Sequence, residues 1–242
     1  NLKSLGAVVE VKQGDVTEVG SIEKVVQDVQ ACHGQINGVV HAAGIAGGGL
    51  VQLKTREIAN KVFAPKIYGV YNLALALQNV DLDFVVLFSS ISALIGEPGQ
   101  LDYSAANACL DTFAMSHLFQ SDFTVSINWN TWQSVGMAVE TERPDDVTFF
   151  DRGNDITPEQ GQQLFMQIMQ NNYPQVAVST FDIATFSKIV MQQKAKPQLE
   201  IKVDREELNI GANYVPPRNS VEEQLVQLWQ ETLGIENIGV ED

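Results

Sequence analysis

Short apolar runs alternate with helix-period stretches along this chain, and that alternation constrains its fold more than any other feature. The runs are GAVVEVK (6–12), INGVVHAAG (36–44), LDFVVLFSS (82–90), FTVSINWNTW (123–132) and QVAVST (175–180). Most are continuous rather than alternating apolar and polar, the pattern of strands covered on both faces. Between them lie SIEKVVQDVQACHG (21–34), TREIANKVFAPKIYGVYNLALALQ (55–78), YSAANACLDTFAMSHLFQ (103–120) and TPEQGQQLFMQIMQ (157–170), which read as helices. Pro65 marks a kink or a break between two segments of the second of these. Strand and helix in strict turn predict an α/β doubly wound parallel sheet.

Two regions depart from the rhythm. Residues 136–156 are polar and irregular but carry Phe149 and Phe150, the composition of a lid. Residues 191–219 show little apolar periodicity and read as a linker. SVEEQLVQLWQETLG (220–234) then begins a new amphipathic helix, with Ser220 and Glu223 as a capping box, Val221, Leu225, Leu228 and Trp229 on one face, and Gly234 as its stop.

Composition narrows the function classes. Fifteen basic against 30 acidic side chains give a net charge of −15, which repels phosphate backbones and argues against nucleic acid as a partner. Cys32 and Cys109 have no paired spacing, so neither a disulfide framework nor a zinc site is expected, and a reducing cytoplasm fits. No apolar run has the length of a bilayer span, so no membrane partner is expected. NLKSLGAVVEV has no signal-peptide pattern and no initiating methionine, so the chain is expected to begin inside a longer polypeptide.

In doubly wound folds the working residues gather at the carboxyl ends of the strands. Three candidates lie there: Ser89/Ser90, Tyr103, and the glycine loop 44–49. Tyr103 follows Ser90 by 13 residues across a turn containing Gly96, Pro98 and Gly99. A serine and a tyrosine suit carbonyl reduction, the serine hydrogen-bonding the carbonyl oxygen and the tyrosine protonating it. A phenol with an ordinary pKa of about 10 needs a cation beside it, and Lys66 is the best supplier. Asn107 is unfavourable inside a helix unless its amide has a partner. Each residue also has a plainer reading. A Ser-Ser strand end caps a turn, a helix-start tyrosine lies on the surface, and a helical lysine is solvated. AGGGL (46–50) is by default a flexible loop, His41 a packed histidine, and Asp15 either an adenine contact or a helix cap. Trp129 and Trp132 are core or pocket-wall residues.

GDVTEVGSIEKVV, INGVVHAAGIAGGGL, FAPKIYGVYNL, FVVLFSSISALIGEPGQLDYSAANACLD and SINWNTWQSVGMA together resemble the ketoreductase domain of a modular polyketide synthase, or of a polyketide module in a hybrid peptide–polyketide synthase. These domains belong to the short-chain dehydrogenase/reductase superfamily. The resemblance covers roughly residues 1–190, and the tail YVPPRNSVEEQLVQLWQETLGIENIGVED resembles the linker and first helix of an acyl carrier domain. It implies a Rossmann-like sheet and a catalytic tetrad of Lys66, Ser90, Tyr103 and Asn107, in which lysine and asparagine are exchanged relative to most of the superfamily. It implies NADPH as cofactor, with Asp15 and Val16 at the adenine and Ala42, Ala43 and Gly44 forming a turn beside it. The substrate would be a β-ketoacyl thioester on the phosphopantetheine arm of a carrier domain, and the partners that carrier and the neighbouring domains of one megasynthase.

Departures from the family pattern carry their own expectations. The glycine-rich turn after the first strand and the basic residue that reads the 2′-phosphate are not in the sequence, nor is a serine that could bear phosphopantetheine. The chain is therefore expected to lack the first βαβα portion of the fold, leaving 6–12 as a strand without a neighbour. On its own it is expected to bind NADPH weakly or not at all. Ala46, Gly47 and Gly48 stand where one stereochemical subtype has Leu-Asp-Asp, and Ile95 where the other has tryptophan, so product configuration is not readable. The competing readings are a non-catalytic structural domain of the same kind of module and a free-standing short-chain dehydrogenase.

Overall fold

A computed structural model describes residues 2–49, 51–96, 99–137, 155–182, 203–204, 214–233 and 235–241. The chain divides into two units, Asn1–Ile183 and Ala184–Asp242.

The first unit is built on a four-stranded sheet of β1 (Gly38–His41), β2 (Leu82–Ser90), β3 (Ser121–Trp129) and β4 (Gln175–Ala177), in that order and parallel throughout. Parallel neighbours need crossovers, and helices supply them. Helix α1 (Val19–His33) precedes β1. Helices α2 (Arg56–Lys66) and α3 (Tyr68–Ala76) link β1 to β2, α4 (Ser92–Ile95) and α5 (Leu101–Met115) link β2 to β3, and α6 (Pro158–Met169) lies between β3 and β4. The long helical stretch at 55–78 is divided as Pro65 predicts: α2 and α3 meet at Ile67, immediately after Lys66.

β2 shows why its apolar run is continuous. Side chains alternate across a strand. Val85 and Leu87 join one core with Ile22 and Val26 of α1, Val70 and Ala74 of α3 and Leu110 of α5. Val86, with Phe84 and Phe88 packed beside it, joins a second core on the opposite face with Val125 and Ile127 of β3 and Ile168 of α6. Both faces are covered, so from Phe84 every position along the strand is apolar until the two serines at its end; Asp83, near its start, is exposed.

The stretch 6–12, expected as a buried strand, is not one. Leu2–Leu5 form a 3-10 turn, and Val8 and Val11 are about nine-tenths exposed (88% and 92%). An apolar run becomes a strand only beside a strand that takes its ladder bonds. Among the described strands β1 pairs with β2 alone, and nothing pairs with residues 6–12.

In the second unit α7 (Ser220–Leu233) is followed by β6 (Ile235–Glu236), which pairs in parallel with β5 (Val203–Asp204). The cap of α7 lies one residue earlier than expected. Asn219 Oδ1 accepts from the backbone N–H groups of Val221 (3.1 Å) and Glu222 (3.0 Å), so Ser220 is already helical. Val221, Leu225, Leu228 and Trp229 are all exposed. Residues 138–154 of the lid expected over 136–156, most of the expected linker, Pro98 and the stop at Gly234 lie outside the described residues. Among the described residues no helix is long and apolar enough to cross a membrane.

Candidate active site

The carboxyl end of β2 and the first turns of α5 bring the chemistry together. Lys66 is the last residue of α2 and is 2% exposed. Its ammonium donates to the Phe88 carbonyl (2.9 Å) and lies 5.9 Å from the centre of the Tyr103 ring, within cation–π range. Burial pulls Lys66 down from the ordinary lysine value to about 8, and the Asp111 carboxylate acts against that pull. At neutral pH it is still mostly an ammonium ion. His41, at the end of β1, is pushed down to about 4, by burial first and by the Lys66 charge second, with the Pro65 backbone opposing, and is therefore neutral.

Tyr103 and Asn107 lie one turn apart on α5. Asn107 is fully buried, and its amide donates to the Tyr103 carbonyl (2.8 Å). This is the partner that an asparagine inside a helix requires. Its Oδ1 is buried without a hydrogen bond, an acceptor whose desolvation is uncompensated until something donates to it. Ser90, the last residue of β2, accepts from the backbone N–H (3.2 Å) and hydroxyl (3.0 Å) of Ser92. It thus does what the plain reading of a strand-end serine foresees, and both bonds leave its own hydroxyl proton unused.

Sequence reasoning passed over Asp102 here. The buried Asp102 pairs with the Lys54 ammonium and accepts the Tyr103 backbone N–H at 2.9 Å. The available signal was an acid in the first turn of a helix, where the dipole favours it. Gly47 also belongs to the site. A Cβ there would lie 2.7 Å from Tyr103 Cβ and 2.8 Å from Asp102 Oδ1. The glycine loop, read by default as flexible, runs against the turn that carries the tyrosine.

The five residues assigned to a cofactor line one cleft. Asp15, Val16, Ala42, Ala43 and Gly44, with Gln13, Gly14, Ser21 and Pro65, surround about 790 Å³. Asp15 accepts from the backbone N–H (2.8 Å) and hydroxyl (2.7 Å) of Thr17, and these bonds hold its carboxyl below the usual carboxylate range. Val16 packs on Gly69, where a Cβ would lie 3.0 Å from either of its methyl groups. Gly44 connects cleft and lysine, since a Cβ on it would come within 3.0 Å of Lys66 Cε. The cleft thus opens beside the Lys66–Tyr103 pair, on a floor of small side chains and bare backbone. Among the described residues no cluster of His, Cys, Asp or Glu could hold a metal ion.

Comparison with known proteins places this geometry. A family model described as the KR domain matches residues 1–134. The chain is 36% identical over 147 residues to polyketide synthase PksN of Bacillus subtilis, covering 58% of the chain and 3% of that protein. It is 39% identical over 143 residues to 6-methylsalicylic acid synthase of Aspergillus terreus, covering 59% of the chain and 8% of that protein. Among solved structures, a ketoreductase from the macrolactin assembly line superposes with a TM-score of 0.66 at 28% identity, over 78% of this chain and 37% of that one. The first ketoreductase of the tylosin polyketide synthase gives 0.67 at 25% identity, over 79% and 41%. The chain therefore spans under a tenth of the first two relatives and under half of these structures.

Proposed function

The chain belongs to the KR domain family, the ketoreductase domains of polyketide synthases, and from that premise we propose that it serves the NADPH-dependent reduction of a β-ketoacyl thioester to the β-hydroxyacyl thioester. The acyl chain would ride on the phosphopantetheine arm of a carrier domain of the same megasynthase. In this reading residues 1–190 are the reductase portion, 191–219 a linker and 220–242 the opening helix of an acyl carrier domain.

The cofactor would supply hydride to the β-carbon. Its fit is tested by the cleft: two alanines and Gly44 line it with little side chain, the bare Gly44 makes room for Lys66, and the Asp15 carboxylate can accept from an amino group. Asp15 and Val16 would hold the adenine end, and Ala42, Ala43 and Gly44 would border the ring end next to Lys66.

The chain's own residues manage the proton. The unused hydroxyl proton of Ser90 would bond the carbonyl oxygen, and Tyr103 Oη would deliver its proton to that oxygen as negative charge develops on it. The Lys66 ammonium over the phenol ring favours the phenolate left behind and so makes Tyr103 a stronger acid. Asn107 fastens the tyrosine's turn through Nδ2, and the bare Oδ1 can take a donor that refills the phenol with a proton.

The observation that carries this reading is the buried Lys66 ammonium against the Tyr103 ring with Asn107 one turn below. The chain on its own is expected to bind NADPH weakly or not at all, so the test is to offer the full-length module that carries it a β-ketoacyl thioester, on a carrier and as a soluble pantetheine analogue, with NADPH or NADH. Oxidation of NADPH with formation of the 3-hydroxyacyl thioester is expected, and faster than with NADH. Absence of cofactor oxidation with the carrier-borne substrate would overturn the proposal.

A further inference from the structure

Behind the proposed tetrad lies a buried polar chain that the mechanism above does not use. Asp111, on α5 two turns beyond Tyr103, is 7% exposed, and no cation touches it among the described residues. Its carboxylate accepts from the Ser126 hydroxyl (2.6 Å) and from the Asn128 amide, whose nitrogen lies 2.9 and 3.0 Å from its two oxygens. Asn128, in β3, has no exposed surface. Gln175 of β4 donates to its Oδ1 (2.9 Å), which fixes the NH₂ end of that amide towards Asp111 and β2. The same nitrogen is 3.0 Å from Ser89 Oγ and 3.2 Å from the Ser90 carbonyl. Ser89 Oγ in turn donates to the Asn107 carbonyl (3.1 Å).

The consequence is that consecutive residues at the end of β2 each carry one tie to the site. Phe88 takes Lys66, Ser89 takes Asn107, and Ser90 is gripped through its carbonyl. We propose that Asp111 and Asn128 are positioning residues: a buried carboxylate and a buried amide that bind the end of β2 to α5 and so fix Lys66, Ser90 and Asn107 around Tyr103. This rests on the reductase reading of those four residues. A buried carboxylate with no contacting cation is an expensive way to fill space, and an apolar side chain would do it more cheaply. What the carboxylate adds is alignment and charge.

The charge acts on Lys66. That ammonium is faced by neutral His41 from β1, by the Phe88 carbonyl from β2, and by Tyr103 and Asp111 from α5. Asp111 is the carboxylate that holds Lys66 towards its charged form. Removing it lets Lys66 lose its proton at lower pH, so the alkaline limb of the reduction rate moves to lower pH.

Two variants in the whole protein separate the two actions. Asp111→Asn removes the charge. With the Asp111 charge gone, burial of Lys66 is no longer opposed, and its ammonium, followed through the ¹³Cε resonance, is expected to titrate lower than in the parent by roughly half a unit or more, with the alkaline limb of kcat following it. Ser89→Ala cuts the tie to Asn107 without touching the charge. It is expected to lower kcat by about tenfold, with KM for NADPH and the alkaline limb unmoved. An Asp111→Asn protein with an unmoved Lys66 titration, or a Ser89→Ala protein within about twofold of parental kcat, overturns the proposal. Should Asp111→Asn fail to fold, Ser89→Ala decides alone. A parent protein that folds and reduces nothing sinks the reductase reading, and the positioning role with it.

Discussion

At Lys66 and His41 burial works in one direction on two neighbouring bases, and the charge of one works on the other. Both are driven towards neutrality. Lys66 keeps its proton at neutral pH because its ordinary value starts far higher, and His41 does not. The imidazole binds no proton in the folded protein until the pH nears 4, whereas the unfolded chain binds one below about 6.5. The unfolded state therefore holds more protons in that window, and stability is lost as pH falls through it. The contribution is on the order of 3 kcal/mol. Urea unfolding at pH 7 and pH 4.5 is expected to show a fall that the His41→Gln variant largely lacks. Equal falls in parent and variant would contradict the assignment. These couplings are not legible in the sequence: HAAG reads as a packed histidine before a turn, and only the fold sets this strand-end residue beside a lysine at the end of α2. The same holds for Gly47 and for Asp111, whose partners come from other elements. Residue type and position at strand and helix ends made Lys66, Ser90, Tyr103 and Asn107 candidates, each with a plainer reading beside it; only the resemblance to a known family joined them into a tetrad.

Secondary-structure elements whose character is set locally were legible, and the exceptions have physical causes. β2 was read to its last serine, because two covered faces keep Phe84 to Phe88 apolar without a break. Helix α6 was read from Thr-Pro-Glu, and it carries a full capping box: Thr157 and Gln160 bond reciprocally, with Pro158 at the first helical position. Residues 6–12 have the same apolar character as β1 but pair with no described strand, and strand formation is a property of pairs. The cap of α7 moved to Asn219 because an amide oxygen there reaches two backbone donors. Within α6, Gly161 shows two effects in competition. Replacing it by alanine would gain about 1 kcal/mol of helix propensity. The added Cβ, however, would fall 2.1 Å from the Trp132 ring. That ring stacks edge-on with Trp129 at 5.0 Å, and its backbone bridges to Ile156. Overpacking of this kind costs about 1–3 kcal/mol, so Gly161→Ala is expected to lower the denaturation midpoint and perturb tryptophan fluorescence. A raised midpoint would show that the ring yields freely.

Across the whole molecule, the parallel sheet with helices on both faces, the cleft beside β1 and the tyrosine helix beyond β2 form one arrangement. Each strand delivers its terminal residues to the same edge, where His41, Ser90 and Trp129 end their runs. The net charge of −15 says nothing of the substrate, and the sequence alone could not order the strands. Consecutive strands β1 to β4 lie side by side in the sheet, each joined to the next through helices. The central claim is that Tyr103, activated by Lys66, protonates the oxygen of a carrier-borne β-ketone. Mass spectrometry of the thioester released from the carrier tests it most directly, comparing the parent protein with Tyr103→Phe. The parent is expected to yield a β-hydroxyacyl product, heavier by H₂, and the variant an unreduced β-ketoacyl product at matched NADPH binding. A reduced product from Tyr103→Phe at the parental rate would contradict it.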